Sequence, residues 1–224
     1  MVHVASFPIN GSEKLISEII NDYKSVANEA TFSFKNTVIF IYQKRSKNMS
    51  RIRIETKSII KAGTQCIVNA ANTHLTGGSG VCGAIFQAAG WNQLQSACDK
   101  IGHCDTGSAV ITPAFNLNAE YIIHAVGPVW YGGDHKEPQK LYGCYRESLL
   151  LAMKYGCHSI AFPLISAGIF GYPVDQAWRK AVQACNDFIN NNPDYDIDIL
   201  FTVIDPKILQ MGINELNRQA GKQS

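Results

Sequence analysis

Long runs of one charge and long apolar segments are both missing from this sequence. Only 17% of the 224 residues are charged, and the net charge at pH 7 is +2. A nucleic-acid-binding surface needs a basic track, whereas the short basic run at Lys44–Lys47 is typical of a solvated turn. No apolar run approaches the length of a membrane span. We therefore expect neither a nucleic acid nor a membrane as a partner.

Paired cysteine motifs are missing as well. The seven cysteines form no C-x-x-C pair, and no histidine pair lies behind Cys98 and Cys104 at the spacing of a zinc site. Cys66 and Cys157 border apolar, strand-like runs, which favours buried, reduced thiols. The first residues lack the basic start and apolar core of a secretion signal. We expect no metal and no cofactor, a cytoplasmic location and a monomer.

One well-known phosphate-binding motif is absent, and a second is displaced. The chain has no G-x-x-x-x-G-K-[ST] sequence, so no lysine is available to reach a terminal nucleotide phosphate. A G-x-G-x-x-G sequence stands at 78–83, but it begins eight residues after the strand predicted at 66–70 instead of in a tight turn directly behind that strand. Both findings argue against an NTPase and against a Rossmann dehydrogenase.

From residue 66 onward, short strand-like runs alternate with amphipathic helical segments. This alternation predicts an α/β fold with three α/β/α layers, in which a mixed, mostly parallel sheet has helices on both faces. We predict strands at 66–70, 108–112, 121–127, 159–165 and 197–204, and helices at 79–90, 91–102, 138–156, 173–192 and 206–219.

The first part of the chain has a different rhythm. Leu15 to Tyr23 have helical spacing behind a possible N-cap at Ser12. The runs 37–43 and 51–56 alternate like strands and are expected to pair antiparallel at one edge of the sheet. We divide the chain into an N-terminal extension, residues 1–48, and a main domain, residues 49–224.

Two glycine-containing loops follow predicted strands, and each runs into a helix. The first reads NAANTHLTGGSGV (69–81) and the second reads PLISAGIFGYP (163–173). Glycine lets a ligand approach the backbone closely, and successive amides next to a helix N-terminus attract anions. Either loop alone could be no more than a tight turn. Two of them at the carboxyl ends of strands in one sheet favour a site that holds a diphosphate from both sides.

These motifs, taken in order, resemble the macrodomain family. The sequences IVNAAN, AAG, IIHAVGPVW, LYGCYRESLLLA and SIAFPLISAGIFGYP carry the resemblance, which runs from about Ile52 to the last helix. It implies a pocket for ADP-ribose as ligand or substrate, with ADP-ribosylated proteins as partners. The adenosine would lie at one end and the distal ribose between the two loops.

The resemblance also implies roles for individual residues. Asn72 would hydrogen-bond the distal ribose and act in catalysis, and Asn69 would hold the first loop. Phe170 would lie against the distal ribose, and Ile204 with Asp205 would line the adenine and proximal ribose. The remaining contacts to the distal ribose and the phosphates would come from the two loops, at Gly78, Ser79, Gly80, Val81, Ser166, Ala167, Gly168 and Ile169.

The chain departs from the family pattern at three positions. Ser58 stands where most members have an aspartate that accepts a bond from the adenine amino group. A hydroxyl can accept that bond without charge, and charge-assisted bonds are roughly twice as strong as neutral ones. Cys82 and Phe86 replace the aspartate and histidine of the GVDGAIH sequence found in hydrolytic members.

These departures leave two functions open. One is a hydrolase that removes ADP-ribose from protein carboxylates or deacetylates O-acetyl-ADP-ribose, with water held between a phosphate oxygen and the loop backbone. The other is a reader that binds ADP-ribose or ADP-ribosylated protein without chemistry. Cys82 lies near a helix N-terminus and is a candidate nucleophile, but space filling explains it better. His124 has the pattern of a hydrogen-bonded core residue, and Trp130 and Tyr131 could either stack on a ligand or anchor their own loop.

Overall fold

The computed structural model describes residues 2–4, 39–43 and 50–221. In these residues one sheet carries helices on both faces. The strands are β1 (Val2–Val4), β2 (Ile39–Gln43), β3 (Arg51–Thr56), β4 (Cys66–Ala71), β5 (Ala109–Pro113), β6 (Tyr121–Val126), β7 (Ser159–Phe162) and β8 (Asp198–Val203). The α-helices are α1 (Gly80–Ala89), α2 (Trp91–Ile101), α3 (Glu137–Lys154), α4 (Val174–Asn191) and α5 (Pro206–Ala220). A 3₁₀ turn covers Ile59–Lys61.

The described strands lie in the order β1-β2-β3-β8-β7-β4-β6-β5. The five central strands, from β3 to β6, run parallel. The pairs β1–β2, β2–β3 and β5–β6 are antiparallel. Along the chain, helices separate β4 from β6, β6 from β7 and β7 from β8, and such crossovers return the chain in the same direction.

Two apolar cores lie on opposite faces of the sheet. On one face, α3, α4 and α5 pack through fully buried residues such as Tyr145, Trp178 and Phe201. On the other face, α1 and α2 pack through residues such as Ile85, Phe86 and Leu94. The central strands are buried on both faces and are therefore nearly continuous apolar runs in the sequence.

An ion-pair cluster joins the first parallel strand to its neighbour. The Arg53 guanidinium donates to both carboxylate oxygens of Asp198 at 3.0 and 2.9 Å, and it also pairs with Glu55. Arg51 adds a 2.8 Å contact to Asp198. These bonds outweigh the effect of burial and lower the pKa of Asp198. They fix β3 beside β8, and both strands end at the same edge of the sheet.

The fold expected from the sequence is confirmed. Each strand and helix predicted from residue 51 onward is present within two residues of its predicted ends, except that the strand predicted at 159–165 ends three residues early, at Phe162. The antiparallel pairing of β2 with β3 is also present. The helix expected at 15–23 and the basic turn at 44–47 lie outside the described residues, and the division of the chain at residue 48 stays a prediction.

The cysteines are buried thiols, as the sequence indicates. All seven are free and buried, and burial raises the pKa of several of them, for example Cys104 to about 11. In the described part of the chain, no helix combines the length and the apolar character needed to cross a bilayer. No cluster of metal-ligating side chains was found among the same residues.

A small residue allows α5 to pack closely on the sheet. A Cβ atom at Gly212 would lie 2.7 Å from Ile54 Cδ1 and 2.7 Å from the Trp178 ring. We expect Gly212→Ala to lower the free energy of unfolding by about 1 to 3 kcal/mol, because the fully buried indole cannot move aside. Urea unfolding measures this change. Gly221→Ala is the control, since its Cβ atom would make only an ordinary 3.6 Å contact; equal losses in both variants would contradict the packing argument.

Candidate functional site

The residues singled out in the sequence come together at one edge of the sheet. Because β3, β8, β7, β4 and β6 are parallel neighbours, their carboxyl ends form a row with about 5 Å between adjacent strands. Ser58 follows β3, Ile204 and Asp205 follow β8, the second glycine loop follows β7, and the first follows β4. The row therefore has Ser58, Ile204 and Asp205 on one side and the two glycine loops on the other.

Asn72 is held by its own loop. Its Oδ1 accepts from the backbone N–H of His74 at 3.1 Å and of Thr76 at 3.2 Å, and also from the Thr76 hydroxyl. Its Nδ2 donates to the Thr76 carbonyl at 2.9 Å. An amide nitrogen carries two hydrogens, so one N–H of the half-buried side chain is left to donate to a ligand. The bonds fix the direction of that N–H in advance.

Side chains of α2 hold the glycine segment of the first loop in place. The Gly77 N–H donates to Gln95 Oε1 at 2.9 Å. A Cβ atom at Gly77 would lie 2.5 Å from the Trp91 ring and 2.9 Å from Phe86. Only glycine fits between these groups. The clamp turns the following residues outward at the start of α1.

The first turn of α1 offers unpaired backbone donors. Gly80, Val81 and Cys82 are its first three residues, and within the described chain their N–H groups have no hydrogen-bond partner. Such a set of amides at a helix N-terminus, with the helix dipole behind it, is an anion site. Gly80 has a φ of +60°, which glycine tolerates without strain.

The second loop is anchored from within the opposite core. The buried Tyr145 hydroxyl accepts the Ile165 N–H at 2.9 Å. Ser166 has a φ of +64°, and its buried Oγ has no partner in the described chain. Gly127, at the end of β6, makes room for this turn, because a Cβ atom there would lie 2.2 Å from Ser166 Oγ.

The outer part of the second loop also presents free amides. The Gly171 N–H donates to the Gly168 carbonyl and the Tyr172 N–H donates to the Ser166 carbonyl. By contrast, the N–H groups of Gly168, Ile169 and Phe170 bond to no group in the described chain. These donors extend the row begun by α1. Ile169 is 82% exposed and Phe170 is half-buried.

The residues that follow β3 and β8 form a less specialised part of the row. Asp205 caps α5, and its Oδ1 accepts the Lys207 N–H at 2.7 Å. Ile204 is 76% exposed, so an apolar side chain is open to a flat ring. Ser58 precedes the 3₁₀ turn and makes no capping bond with its side chain. Its hydroxyl is available to accept or donate one bond to a ligand.

A buried polar cluster lies under the first loop. Asn69 Nδ2 contacts His124 Nδ1 at 3.2 Å and Cys82 Sγ at 3.6 Å. Because the amide nitrogen only donates, His124 Nδ1 accepts and its Nε2–H donates to Thr112 Oγ1 at 3.0 Å. Asn69 thus joins β4 to β6 and to the start of α1. His124 is completely buried, and this burial lowers its pKa to about 4, which agrees with the expected core role.

Cys82 lies at the floor of the first loop and is only 8% exposed. Burial raises the pKa of its thiol, and this effect outweighs the contacts from Asn69 and from the Gly78 amide. A protonated, buried thiol is a poor nucleophile. Phe86 is fully buried and packs against Trp91 with ring centres 5.3 Å apart. The two positions therefore form an apolar floor, and the surroundings favour a space-filling role for Cys82.

Sequence reasoning missed Glu137, which organises the loop between β6 and α3. Its carboxylate is 1% exposed and accepts the N–H groups of Tyr131 at 3.1 Å, Gly133 at 3.2 Å and His135 at 2.5 Å. Burial opposes ionisation, but these backbone bonds outweigh it and lower the pKa of Glu137. The Gly-Gly pair before it, with φ of +112° and +101°, was the available signal of a tightly turned loop.

The Glu137 loop is joined to the second glycine loop. The Trp130 N–H donates to the Phe170 carbonyl at 2.9 Å. The Trp130 ring packs on Tyr172, with ring centres 4.5 Å apart. Gln95, Tyr145 and Gly127 were missed as well, because each of these three acts through a contact between residues that are far apart in the sequence.

The buried imidazole makes folding depend on pH. The unfolded chain binds a proton with an ordinary pKa of 6.5, whereas folded His124 has a pKa of about 4. Lowering the pH from 6.5 to 4 therefore destabilises the fold, by up to about 3 kcal/mol at about 1.4 kcal/mol per pKa unit. We expect denaturant unfolding of His124→Gln to show a smaller loss over this range. The exposed His103→Gln should keep the wild-type pH dependence; a similar change in both variants would contradict the assignment.

The Glu137 carboxylate should control the order of its loop. We expect Glu137→Gln to raise amide hydrogen exchange at residues 131–135 by about tenfold or more, because the neutral amide accepts fewer bonds. In the wild type, where the pKa lies below the ordinary 4.5, the same loosening should begin only below that pH. Glu215→Gln is the control, since Glu215 is a similarly buried carboxylate on α5. Unchanged exchange in Glu137→Gln would disprove the role.

Comparison with known proteins agrees with this geometry. The family model for the macro domain matches residues 68–181. A macro domain-containing protein of Chlorobaculum tepidum is 53% identical over 123 residues, which are 55% of this chain and 71% of that protein. A protein of Salmonella typhimurium named O-acetyl-ADP-ribose deacetylase is 50% identical over 144 residues, 62% of this chain and 80% of the relative.

Solved structures show the same fold. The macrodomain of Oceanobacillus iheyensis with ADP is 34% identical, with a TM-score of 0.73 over 82% of this chain and 98% of the other. The Trypanosoma brucei macrodomain in complex with ADP-ribose is 33% identical, with a TM-score of 0.68 over 74% of this chain and 68% of the other. The sequence, the sheet topology and these matches together establish that the chain belongs to the macrodomain family.

Proposed function

We propose that this protein binds ADP-ribose with its pyrophosphate between the two glycine loops. The unpaired amides at the ends of β4 and β7 are the observation that carries this proposal. Several backbone N–H groups that point into one cleft can replace the water molecules that hydrate a diphosphate. An uncharged ligand would gain less from the same N–H groups. The solved macrodomains with ADP and with ADP-ribose support the ligand assignment.

The rest of the ligand would extend along the row of strand ends. The adenosine would lie toward Ile204, Asp205 and Ser58, and the distal ribose toward Asn72 and Phe170. Only the neutral Ser58 hydroxyl is offered to the adenine amino group at that position. Affinity would therefore depend more on the pyrophosphate than on the base, because charge-assisted bonds are the stronger ones.

We propose further that the protein hydrolyses esters of ADP-ribose, with carboxylate-linked ADP-ribosyl groups or O-acetyl-ADP-ribose as substrates. The reaction consumes one water, breaks an ester C–O bond and yields ADP-ribose and a carboxylic acid, which loses its proton at neutral pH. The relative named O-acetyl-ADP-ribose deacetylase supports this activity. Asn72 would orient the distal ribose, and orientation alone can supply several kcal/mol of rate acceleration.

The apolar floor constrains the chemistry. With a buried thiol at Cys82 and a buried ring at Phe86, neither position supplies a base near the ribose. The attacking water would instead be held between a phosphate oxygen of the ligand and the amides of the first loop. In this arrangement the substrate itself takes part in positioning the water.

A second function follows from the same floor. Without a carboxylate or an imidazole at 82 and 86, the site could bind ADP-ribose or an ADP-ribosylated protein and leave it intact. Both loops and Asn72 suit such a reader equally well. Activity measurements are needed to separate the two functions.

Substitution of Asn72 tests binding and catalysis together. We expect Asn72→Ala to weaken ADP-ribose binding in calorimetry by about tenfold, since the hydrogen bond to the distal ribose and the order of the loop are both lost. Release of label from an auto-ADP-ribosylated acceptor should fall by at least the same factor. Asn92→Ala, on the exposed side of α2, is the control and should behave like the wild type.

The outcomes separate the candidates. Label release that requires Asn72 and survives Cys82→Ala supports hydrolysis by positioned water. Tight binding without release makes the protein a reader. Release that is abolished by Cys82→Ala would revive the thiol as nucleophile. Failure of the wild type to bind ADP-ribose would overturn the proposed function.

A further inference from the structure

Two large apolar side chains are exposed where the Glu137 loop meets the second glycine loop. Tyr131 is 71% exposed and Ile169 is 82% exposed. They flank the Trp130–Phe170 hydrogen bond, one following Trp130 and the other preceding Phe170. Val129, on the other side of Trp130, is 39% exposed. We call these three side chains, Val129, Tyr131 and Ile169, the rim patch.

Contacts beneath the rim patch hold its side chains in their exposed positions. Trp130 packs on Tyr172, whereas Val129 and Tyr131 on either side of it are exposed. The buried Glu137 carboxylate then holds the Tyr131 N–H directly at 3.1 Å. Apolar surface that the chain holds firmly in solvent is a feature of interaction sites.

The position of the rim patch relative to the proposed ligand identifies its partner. Under the proposed function, Phe170 lies against the distal ribose, and this ribose carries the modified group. Whatever is attached there leaves the pocket beside the Trp130–Phe170 contact. An acetyl group is too small to cover a tyrosine and an isoleucine, whereas a polypeptide around a modified side chain can cover both.

We propose that the rim patch is the surface that contacts the polypeptide of an ADP-ribosylated protein. The partner has the chemistry of an extended peptide segment with apolar or aromatic side chains close to the modified carboxylate. Asp134 and Lys136, the formally charged residues of the same loop, have opposite signs. They give no net charge to select an acidic or basic acceptor. This inference rests on the proposed function and names the substrate class that the site favours.

The test compares two ligands in one variant. We expect Tyr131→Ala to weaken binding of an auto-ADP-ribosylated protein by about five- to tenfold, a common effect of truncating an interface aromatic. Binding of free ADP-ribose should change by less than about twofold, because Tyr131 supplies only a backbone bond to Glu137. Tyr131→Phe should restore the wild-type affinity for the modified protein.

Tyr155→Ala is the matched control. Tyr155 is an exposed tyrosine (43%) that follows α3, at the opposite edge of the sheet from the site. It should leave both affinities unchanged. Hydrogen exchange at residues 131–135 confirms that the Glu137 loop keeps its order in Tyr131→Ala.

Each remaining result has a definite meaning. Equal affinity of wild type and Tyr131→Ala for the modified protein would overturn the inference and leave the proposed function intact. Parallel losses for both ligands would also overturn it, since Tyr131 would then belong to the ADP-ribose pocket. A wild-type protein that binds neither ligand would overturn the proposed function, and the inference with it.

Discussion

Backbone amides that the fold leaves without partners are the feature on which the rest of this site depends. A buried N–H group without a partner is costly, so a chain presents several of them together only where they face solvent or a ligand. Here they lie in the first turn of α1 and in the outer part of the second loop, at the ends of adjacent parallel strands. The adjacency of β4 and β7 brings two short peptide segments, about ninety residues apart in the chain, to one cleft.

Both segments are held by side chains that never touch the cleft themselves. Gln95 and the Trp91 ring fix the first loop from α2, and the Tyr145 hydroxyl fixes the second from the opposite core. Glu137 adds a third support through the loop that meets Phe170. Rigid support lowers the entropy lost when a ligand is bound, which is how uncharged backbone groups can compete with water for a pyrophosphate.

Cys82 and Phe86, which are neither carboxylate nor imidazole, fit closely into the packing under the first loop. Phe86 fills the space between Trp91, Gly77 and His124, and Cys82 completes the cluster around Asn69. Asn69 Nδ2 is paired with His124, and His124 is paired with Thr112, whereas the buried Asn69 Oδ1 has no partner in the described chain. This floor keeps the loops in place while removing acid–base groups, so chemistry at this site would rely on the substrate's own phosphate and on orientation.

Local sequence patterns determined much of this protein. The alternation of strand-like apolar runs with amphipathic helical segments was enough to predict the three layers and the approximate bounds of the elements from residue 51 onward. This is because each strand or helix is buried on its own faces, and that burial imposes its hydrophobic periodicity. The chained motifs around IVNAAN and PLISAGIFGYP were enough for the family. The tertiary structure decided what depends on distant contacts. The inward turn of Cys82, the pairing of Asn69 with His124 and the unpartnered Ser166 hydroxyl arise only when separate elements pack together, since burial and hydrogen-bond partners are properties of the assembled fold.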